Sequence, residues 1–262
     1  MWIGKKNWDE ELMFGRTALE MCEEIKYLGV ILTPNLKWDR HLEYLDDKNS
    51  KLIRLMNAVN VLAGGLELSS KVTIYKQLYL PTLLHGHVIW AAALNGRQRD
   101  QLKSLQRKAI LAMTGAFSTT NNSKLLDLIG LLEVNEEIAC LSECRELEEE
   151  SRKKIRSDRL AAQRERLQGD RYEPLFNEQL IMKIRRKETI WFLTGHGPFA
   201  THSIRFNKNE LTNCRLCRLV DETPRHLLFD CAFFRQNIDR NLNDLVLFET
   251  KCREIAFTLY SA

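Results

Sequence analysis

Cys214, Cys217, His226 and Cys231, spaced C-x2-C-x8-H-x4-C, constrain this chain more than any other feature. A short stretch that gathers three sulfurs and one imidazole must fold tightly around whatever they share. The two-residue gap lets both sulfurs of one turn reach a single ion, and the longer second gap leaves room for a hairpin or turn before His226 and Cys231 return. Zn2+ in structural sites is tetrahedral and takes this donor set, and four protein ligands leave no open position for water or substrate. The expected metal is therefore structural zinc. Three thiolates and a neutral imidazole around a divalent cation leave about one net negative charge. Arg215, Arg218 and Arg225 stand between the ligands and would offset it. The plain alternative is a core in which these four side chains merely pack together.

With 262 residues, 44% hydrophobic and 28% charged, the chain has room for one large domain or two smaller ones. A net charge of +4 is too small to argue nucleic-acid binding by itself, so the distribution of charge must carry that claim. No run of about 18 apolar residues occurs, and Met1-Trp2-Ile3-Gly4-Lys5 does not have the form of a signal peptide. These features point to the cell interior and a reducing compartment, with no membrane partner. Seven cysteines, three of them in the metal pattern, fit reduced thiols better than a disulfide framework. Cys140 and Cys144, one helical turn apart, read as small packed hydrophobes rather than a second metal site.

Periodicity predicts a mainly α fold with a small β-hairpin. Ile25 to Leu32 is β-prone and ends at the turn-favouring Thr33-Pro34-Asn35, with residues near Ala18 to Cys22 as the expected partner strand. Trp38, Leu42, Leu45, Leu52, Leu55, Val59 and Leu62 then recur as on one helix face, and Gly64-Gly65 stops it. Ser69-Ser70 offers an N-cap to a second helix bearing Val72, Tyr75, Leu78 and Tyr79, interrupted at Pro81. Leu102, Leu105, Ala109, Ile110 and Met113 mark a third, whose other side presents Arg97, Arg99, Lys103, Arg107 and Lys108. Such a ridge suits a phosphate backbone, and it equally suits a solvated face.

Farther on, the acidic stretch Glu136 to Glu150 and the basic stretch Arg152 to Arg171 read as one long charged helix connecting two domains. Arg152, Lys153, Lys154, Arg156, Arg159, Arg164 and Arg166 dominate its later turns. A second domain is expected from Tyr172-Glu173-Pro174 through Ile181, Ile184, Ile190, Trp191 and Leu193 to the turn Gly195-His196-Gly197-Pro198. His196 and His202 lie near the ligands in sequence, yet the flanking glycines favour a tight turn whose histidine caps or packs. From Phe233, the residues Ile238, Leu242, Leu245, Val246 and Phe248 suggest a terminal helix against the metal segment.

The order of these pieces resembles the carboxyl-terminal part of reverse transcriptases from non-LTR retrotransposons, of the Jockey-like and ribosomal-DNA-inserting kinds. It rests on Lys26-Tyr27-Leu28-Gly29-Val30, Trp38 and His41, Tyr79 to Trp90, Leu105-Gln106-Arg107-Lys108, and Thr194-Gly195-His196-Gly197 before a CCHC knuckle. The resemblance spans about Ile25 to Phe234. It implies that residues 1–36 end a palm with a primer-grip-like hairpin at Tyr27, Leu28 and Gly29. Residues 37–145 would form a thumb-like helical bundle, 146–171 the connector helix, and 172–262 a domain with a zinc knuckle at 214–231. It assigns Arg107 and Lys108 to backbone phosphates, with Lys103 on the same ridge and Arg215 and Arg218 at the knuckle as further nucleic-acid contacts.

The parent enzyme implied is an RNA-directed DNA polymerase that copies RNA from a primer on nicked target DNA. Its partners are RNA and DNA, and its residence is nuclear. Such enzymes hold two Mg2+ ions on carboxylates from two separated strand motifs, which in this family precede the strand of Tyr27. Residues 1–24 hold no such pair. Tyr44-Leu45-Asp46-Asp47 has the form Y-x-D-D, but it sits on an amphipathic helical pattern, not on a hairpin that could aim both aspartates at metal. The expectation is a fragment that binds template and primer without catalysing. Its rival is a transposon-derived protein-interaction module with a structural zinc site. A third reading, an enzyme using Asp46 and Asp47, is disfavoured by their setting.

Overall fold

Trp38 and the apolar residues that follow it at helical spacing build α1 (Asp39–Leu62), and Gly64 and Gly65, both at positive φ, end it as the sequence predicts. In the computed structural model, residues 13–18, 22–166, 178–207, 211–234 and 244–261 are described. Only the first half of the α1 stripe is covered. Trp38, Leu42 and Leu45 are buried, whereas Leu55, Val59 and Leu62 stand in solvent.

The β-prone run folds back on itself instead of pairing with residues near Ala18. Strands β1 (Met13–Phe14) and β2 (Thr17–Ala18) pair with each other, and β3 (Ile25–Tyr27) pairs antiparallel with β4 (Val30–Leu32). The expected partner therefore gives way to a tighter hairpin. Leu28 (φ 46°) and Gly29 (φ 84°) form its two-residue loop, the backbone of a turn with both φ positive, which matches strand twist. His85 Nε2 bonds the Leu28 carbonyl at 2.9 Å, and a Cβ on Gly29 would sit 2.9 Å from that same nitrogen. Any other residue would be strained there and would have to displace His85.

The second helix does not break at Pro81, and Ser69-Ser70 lie inside it rather than capping it. It begins at Leu68 as α2 (Leu68–Ile74), widens into a π turn at Tyr75–Tyr79 and continues as α3 (Leu80–Leu83). Proline lacks an N–H and collides with the carbonyl four residues back. The π turn, closed by the Leu80 amide on the Tyr75 carbonyl, respaces the backbone just ahead of Pro81 and lets the helix go on. A short α4 (His87–Trp90) follows. The basic-ridged α5 (Gly96–Thr114) starts at a capping box between Asn95 and Gln98. Its expected face, Leu102, Leu105, Ala109, Ile110 and Met113, is buried against α1 and the second helix. Buried Gln106 ties it down by donating to the Tyr75 hydroxyl and the Leu132 carbonyl and accepting from the Val134 amide.

Next come α6 (Asn122–Ile129), α7 (Val134–Glu143) and α8 (Glu149–Glu165). The acidic and basic stretches are thus two helices, not one long connector, with the chain reversing at residues 144–148. Their charges meet across the pair: Arg156 grips buried Glu137 with both terminal guanidinium nitrogens (2.6 and 2.8 Å), and Arg159 reaches Glu136 and Glu143, while Arg164 ties α8 to α6 by holding buried Asp127. Cys140 and Cys144 pack with Leu132, Ile155 and Leu160 in a small satellite cluster.

The chain returns in α9 (Glu178–Met182), α10 (Lys187–Thr194), α11 (Ala200–Ser203) and α12 (Leu245–Ser261). The boundary expected at Tyr172 to Pro174 lies outside the described residues, as do Ile238 and Leu242. One continuous core runs from Val30 to Leu259 and includes Ile181, Ile184, Trp191, Cys214 and Cys231. The partition into palm end, thumb, connector and knuckle domain is thus a proposal drawn across an unbroken apolar interior. No helix among the described residues is long and apolar enough to cross a membrane.

Candidate metal centre

Asn213 and Asp221 bridge as an antiparallel pair, and the Cys214 amide donates to the Val220 carbonyl, so Cys214 and Cys217 lie on a hairpin corner. The corner closes through Arg218, whose φ of 60° is left-handed and whose amide reaches the Cys214 carbonyl at 2.8 Å. The second pair sits on a π turn, His226–Asp230, closed by the Cys231 amide on the His226 carbonyl at 2.7 Å. A π turn brings residues five apart onto one side of the helix. That is why a four-residue gap can serve His226 and Cys231 together.

The four ligand atoms lie within 4.8 Å of one another, the one such grouping of His, Cys, Asp or Glu side chains among the described residues. Cys214 Sγ is 3.9 Å from Cys231 Sγ, and Cys217 Sγ is 3.3 Å from His226 Nε2. A tetrahedron with Zn–S bonds of about 2.3 Å has a sulfur–sulfur edge of about 3.8 Å. The cluster has the size and donor set of a structural zinc site. His226 Nε2 faces the thiols, and Nδ1 is buried without a partner among the described residues.

Burial foremost, with the Cys214 charge, pushes Cys231 up to about 11 against the pull of the Phe233 and Phe234 amides. At Cys217 burial also works upward, but the Leu219 and Val220 amides and the Cys214 and Cys231 thiols outweigh it and hold the group below its usual value. A divalent ion would favour the thiolate at all three.

Sequence reading overlooked Glu222, whose carboxylate anchors the centre. Fully buried, it accepts from the Ala200 amide (2.8 Å), the Arg215 amide (2.9 Å) and the Arg215 guanidinium. Arg215 also donates to the carbonyls of Pro198 and of Leu259 on α12. This expected nucleic-acid contact is thus a clamp joining knuckle, turn and terminal helix. Arg218 and Arg225 lie on the same two turns, at the corner and just before His226.

The other singled-out residues sit elsewhere. Arg107 donates to the Ser118 and Thr120 carbonyls, Lys108 pairs with Asp46 at 2.7 Å, and Lys103 pairs with Glu133 at 3.2 Å. Asp47 pairs with Lys51. Both aspartates of Tyr44-Leu45-Asp46-Asp47 are therefore ion-paired on helix α1, the helical setting expected. Tyr27 and Leu28 are 62% and 78% exposed at the hairpin tip, which rules out core packing as their role. His202 is buried, its Nδ1 at the Gly197 carbonyl and its Nε2 at the Thr119 hydroxyl, and His196 packs on it with ring centres 4.7 Å apart. As expected, these two histidines pack around a turn and do not join the four ligands.

A mainly helical chain carrying a Cys3His cluster behind this hairpin and bundle is similar in sequence, over about half its length, to polyproteins and RNA-directed DNA polymerases of non-LTR retrotransposons. It is 27% identical over 132 residues, half of this chain, to "Retrovirus-related Pol polyprotein from type-1 retrotransposable element R1 4" of Nasonia vitripennis. It is 32% identical over 100 residues to "RNA-directed DNA polymerase from mobile element jockey" of Drosophila funebris, covering 38% of this chain. To "Probable RNA-directed DNA polymerase from transposon X-element" of Drosophila melanogaster it is 31% identical over 117 residues, 43% of this chain. The matches span 33%, 11% and 12% of those proteins. No protein-family model matches the chain, and no solved structure does.

Proposed function

We propose that this chain is the carboxyl-terminal, nucleic-acid-holding part of a retrotransposon RNA-directed DNA polymerase, made of a primer-grip-like hairpin, a thumb-like bundle and a structural zinc knuckle. The observation that carries it is the similarity to the R1, jockey and X-element proteins. Cys214, Cys217, His226 and Cys231 would hold the zinc, and the ion would fix the corner and the π turn as one rigid knob. The piece binds template and primer and leaves catalysis to a Mg2+-bearing palm elsewhere in the parent protein. Nuclear residence, RNA and target DNA as partners, and contacts from Lys103, Arg107, Lys108 and Arg218 belong to the same proposal.

The test is fluorescence anisotropy of a labelled primer-template duplex titrated with zinc-loaded protein at several salt concentrations. Affinity should fall steeply and linearly with the logarithm of salt, because each neutralised phosphate releases counterions. Failure to bind at low salt by folded, zinc-loaded protein would refute it. One observation favours a protein-interaction module instead: Lys103, Arg107, Lys108 and Arg215 already have partners within the chain, while Leu55, Val59, Val61 and Leu62 are exposed on α1. That reading predicts binding with little salt dependence.

A further inference from the structure

Between α3 and α4 on one side and α7 on the other lie two grooves that share His87 and Leu141 and therefore adjoin. One, of about 430 Å3, is lined by Leu80, Pro81, Leu84 and Leu141, with Lys76 and the Glu137–Arg156 pair beside them. The other, of about 550 Å3, continues along Val88, Ala91, Ile138 and Ala139, with Arg99 and Arg145 as its charged groups. The apolar lining is aliphatic throughout, and part of it stands in water. Val88 is 59% exposed and Leu141 39%.

Charge in these grooves is one-sided. Glu137 is the one carboxylate lining either of them among the described residues, and Arg156 already grips both of its oxygens. Lys76, Arg145 and the terminal nitrogens of Arg99 meet no carboxylate among the described residues, Arg99 giving only its Nε to the Leu94 carbonyl. Asp100 and Glu143 turn instead to Lys103 and Arg159. Burial first, and then the Arg156 charge, hold Lys76 below its usual value in spite of Glu137, as befits a cation short of a counter-charge. The other cavities lack this surplus. The one of about 1020 Å3 beside α12 sets Glu67, Glu188, Asp244 and Glu249 against its cations. The one beside Gly197 has Arg215 as its cation, and Glu222 holds that.

We propose that the joined grooves dock an acidic amphipathic segment of a partner protein, its aliphatic side chains against Leu84, Val88 and Leu141 and its carboxylates on Lys76, Arg99 and Arg145. Laying an apolar face into a groove between helices is a recurring way to hold such a segment. Opposed charges at the rim fix its orientation and speed the encounter. A nucleic-acid strand suits the site less, because no phenyl, phenol or indole ring lines it for a base to stack on. The inference goes beyond the nucleic-acid reading above and does not depend on it.

The experiment selects a random peptide library displayed on phage against the full zinc-loaded chain, then measures the enriched peptides, synthesised and labelled, by fluorescence anisotropy. Variants are Val88→Gln, Leu141→Gln, Lys76→Glu and Arg145→Glu, all at exposed positions, with folding checked by circular dichroism. Enriched peptides should combine Leu, Ile or Val with Asp and Glu. Each glutamine variant should weaken their binding about tenfold, through lost apolar burial, and each charge reversal should weaken it about tenfold at low salt and less as salt rises. A peptide with one Glu changed to Lys should bind Arg145→Glu better than wild type, an exchange that a merely structural role for Arg145 would not produce. If no acidic-aliphatic peptide is enriched, or the glutamine variants bind as wild type, the grooves are not a protein site and the proposal falls. It falls too if Lys76→Glu and Arg145→Glu weaken a single-stranded oligodeoxynucleotide and no peptide. The primer-template titration reads the nucleic-acid proposal separately, so either can fail alone.

Discussion

Glu222→Gln removes one charge and keeps nearly the same volume, so its cost isolates what the buried carboxylate does. One carboxylate oxygen accepts from the Ala200 amide and the other from the Arg215 amide, and both also face the Arg215 guanidinium. A glutamine presents one oxygen and one NH2 group, so one of those two amides must lose its acceptor. An orphaned buried amide costs about 1–3 kcal/mol. The ion pair adds less than a fully buried one, because the Arg215 side chain is 38% exposed, and screening leaves about 1 kcal/mol. The sum, about 3 kcal/mol, should lower Tm by about 6–12 °C in a chain of this size. Differential scanning calorimetry of zinc-saturated protein measures it. Arg215→Met should cost more, because it leaves the fully buried Glu222 carboxylate without its cation and the Pro198 and Leu259 carbonyls without their donor, and the double variant should fall short of the sum of the singles by at least about 1 kcal/mol. A Tm within about 1 °C of wild type would refute the view that this carboxylate seats the knuckle.

Purified protein should hold one zinc per chain by elemental analysis, and chelation should lower Tm steeply, because metal affinity is folding free energy where a site forms only in the native state; an unmoved melting curve would remove the metal. His41 is held at about 4, below its ordinary 6.5, by burial first and by neighbouring His85, and its Nδ1 accepts from the Ile31 amide, which a protonated ring cannot do. A depressed histidine pKa stabilises the fold above about pH 6.5, and on the order of 3 kcal/mol should disappear as pH falls from there through about 4. Urea titrations across that range should find the loss in wild type and a flatter profile in His41→Phe. Gly29→Ala should cost about 2 kcal/mol, from a left-handed φ and displacement of His85, and native-state hydrogen exchange should find the Ile25–Leu32 hairpin opening more readily; unchanged protection there would count against the contact.

Where one segment decides its own conformation, the sequence was readable. The α1 stripe with its Gly64-Gly65 stop, the buried face of α5 and the metal spacing all declared themselves, since each depends on local periodicity. The errors lie where distant groups decide. Charge composition cannot distinguish ion pairs within one helix from pairs between two, and residues 144–148 hold no glycine or proline to mark the reversal. Pro81 looked like a break because the π turn ahead of it leaves no simple residue signature. The hairpin partner was missed because Leu28-Gly29 is not one of the usual asparagine- or aspartate-glycine loops. Glu222 was invisible because its importance comes from Ala200 and Arg215, which only folding brings to it.

The unbroken interior bears on how such a unit can be cut and moved. Leu227 and Leu228 sit in the π turn between two of the ligands and face inward with Cys214 and Cys231. Excised as residues 211–234, the knuckle would carry those leucines into water and leave behind a socket in the helices. Grafting experiments that treat it as a portable finger would thus transplant half of an interface. The transferable unit is the finger together with α10, α12 and the turn they enclose, and any recombination that keeps the ligands while exchanging those helices would have to rebuild the seat.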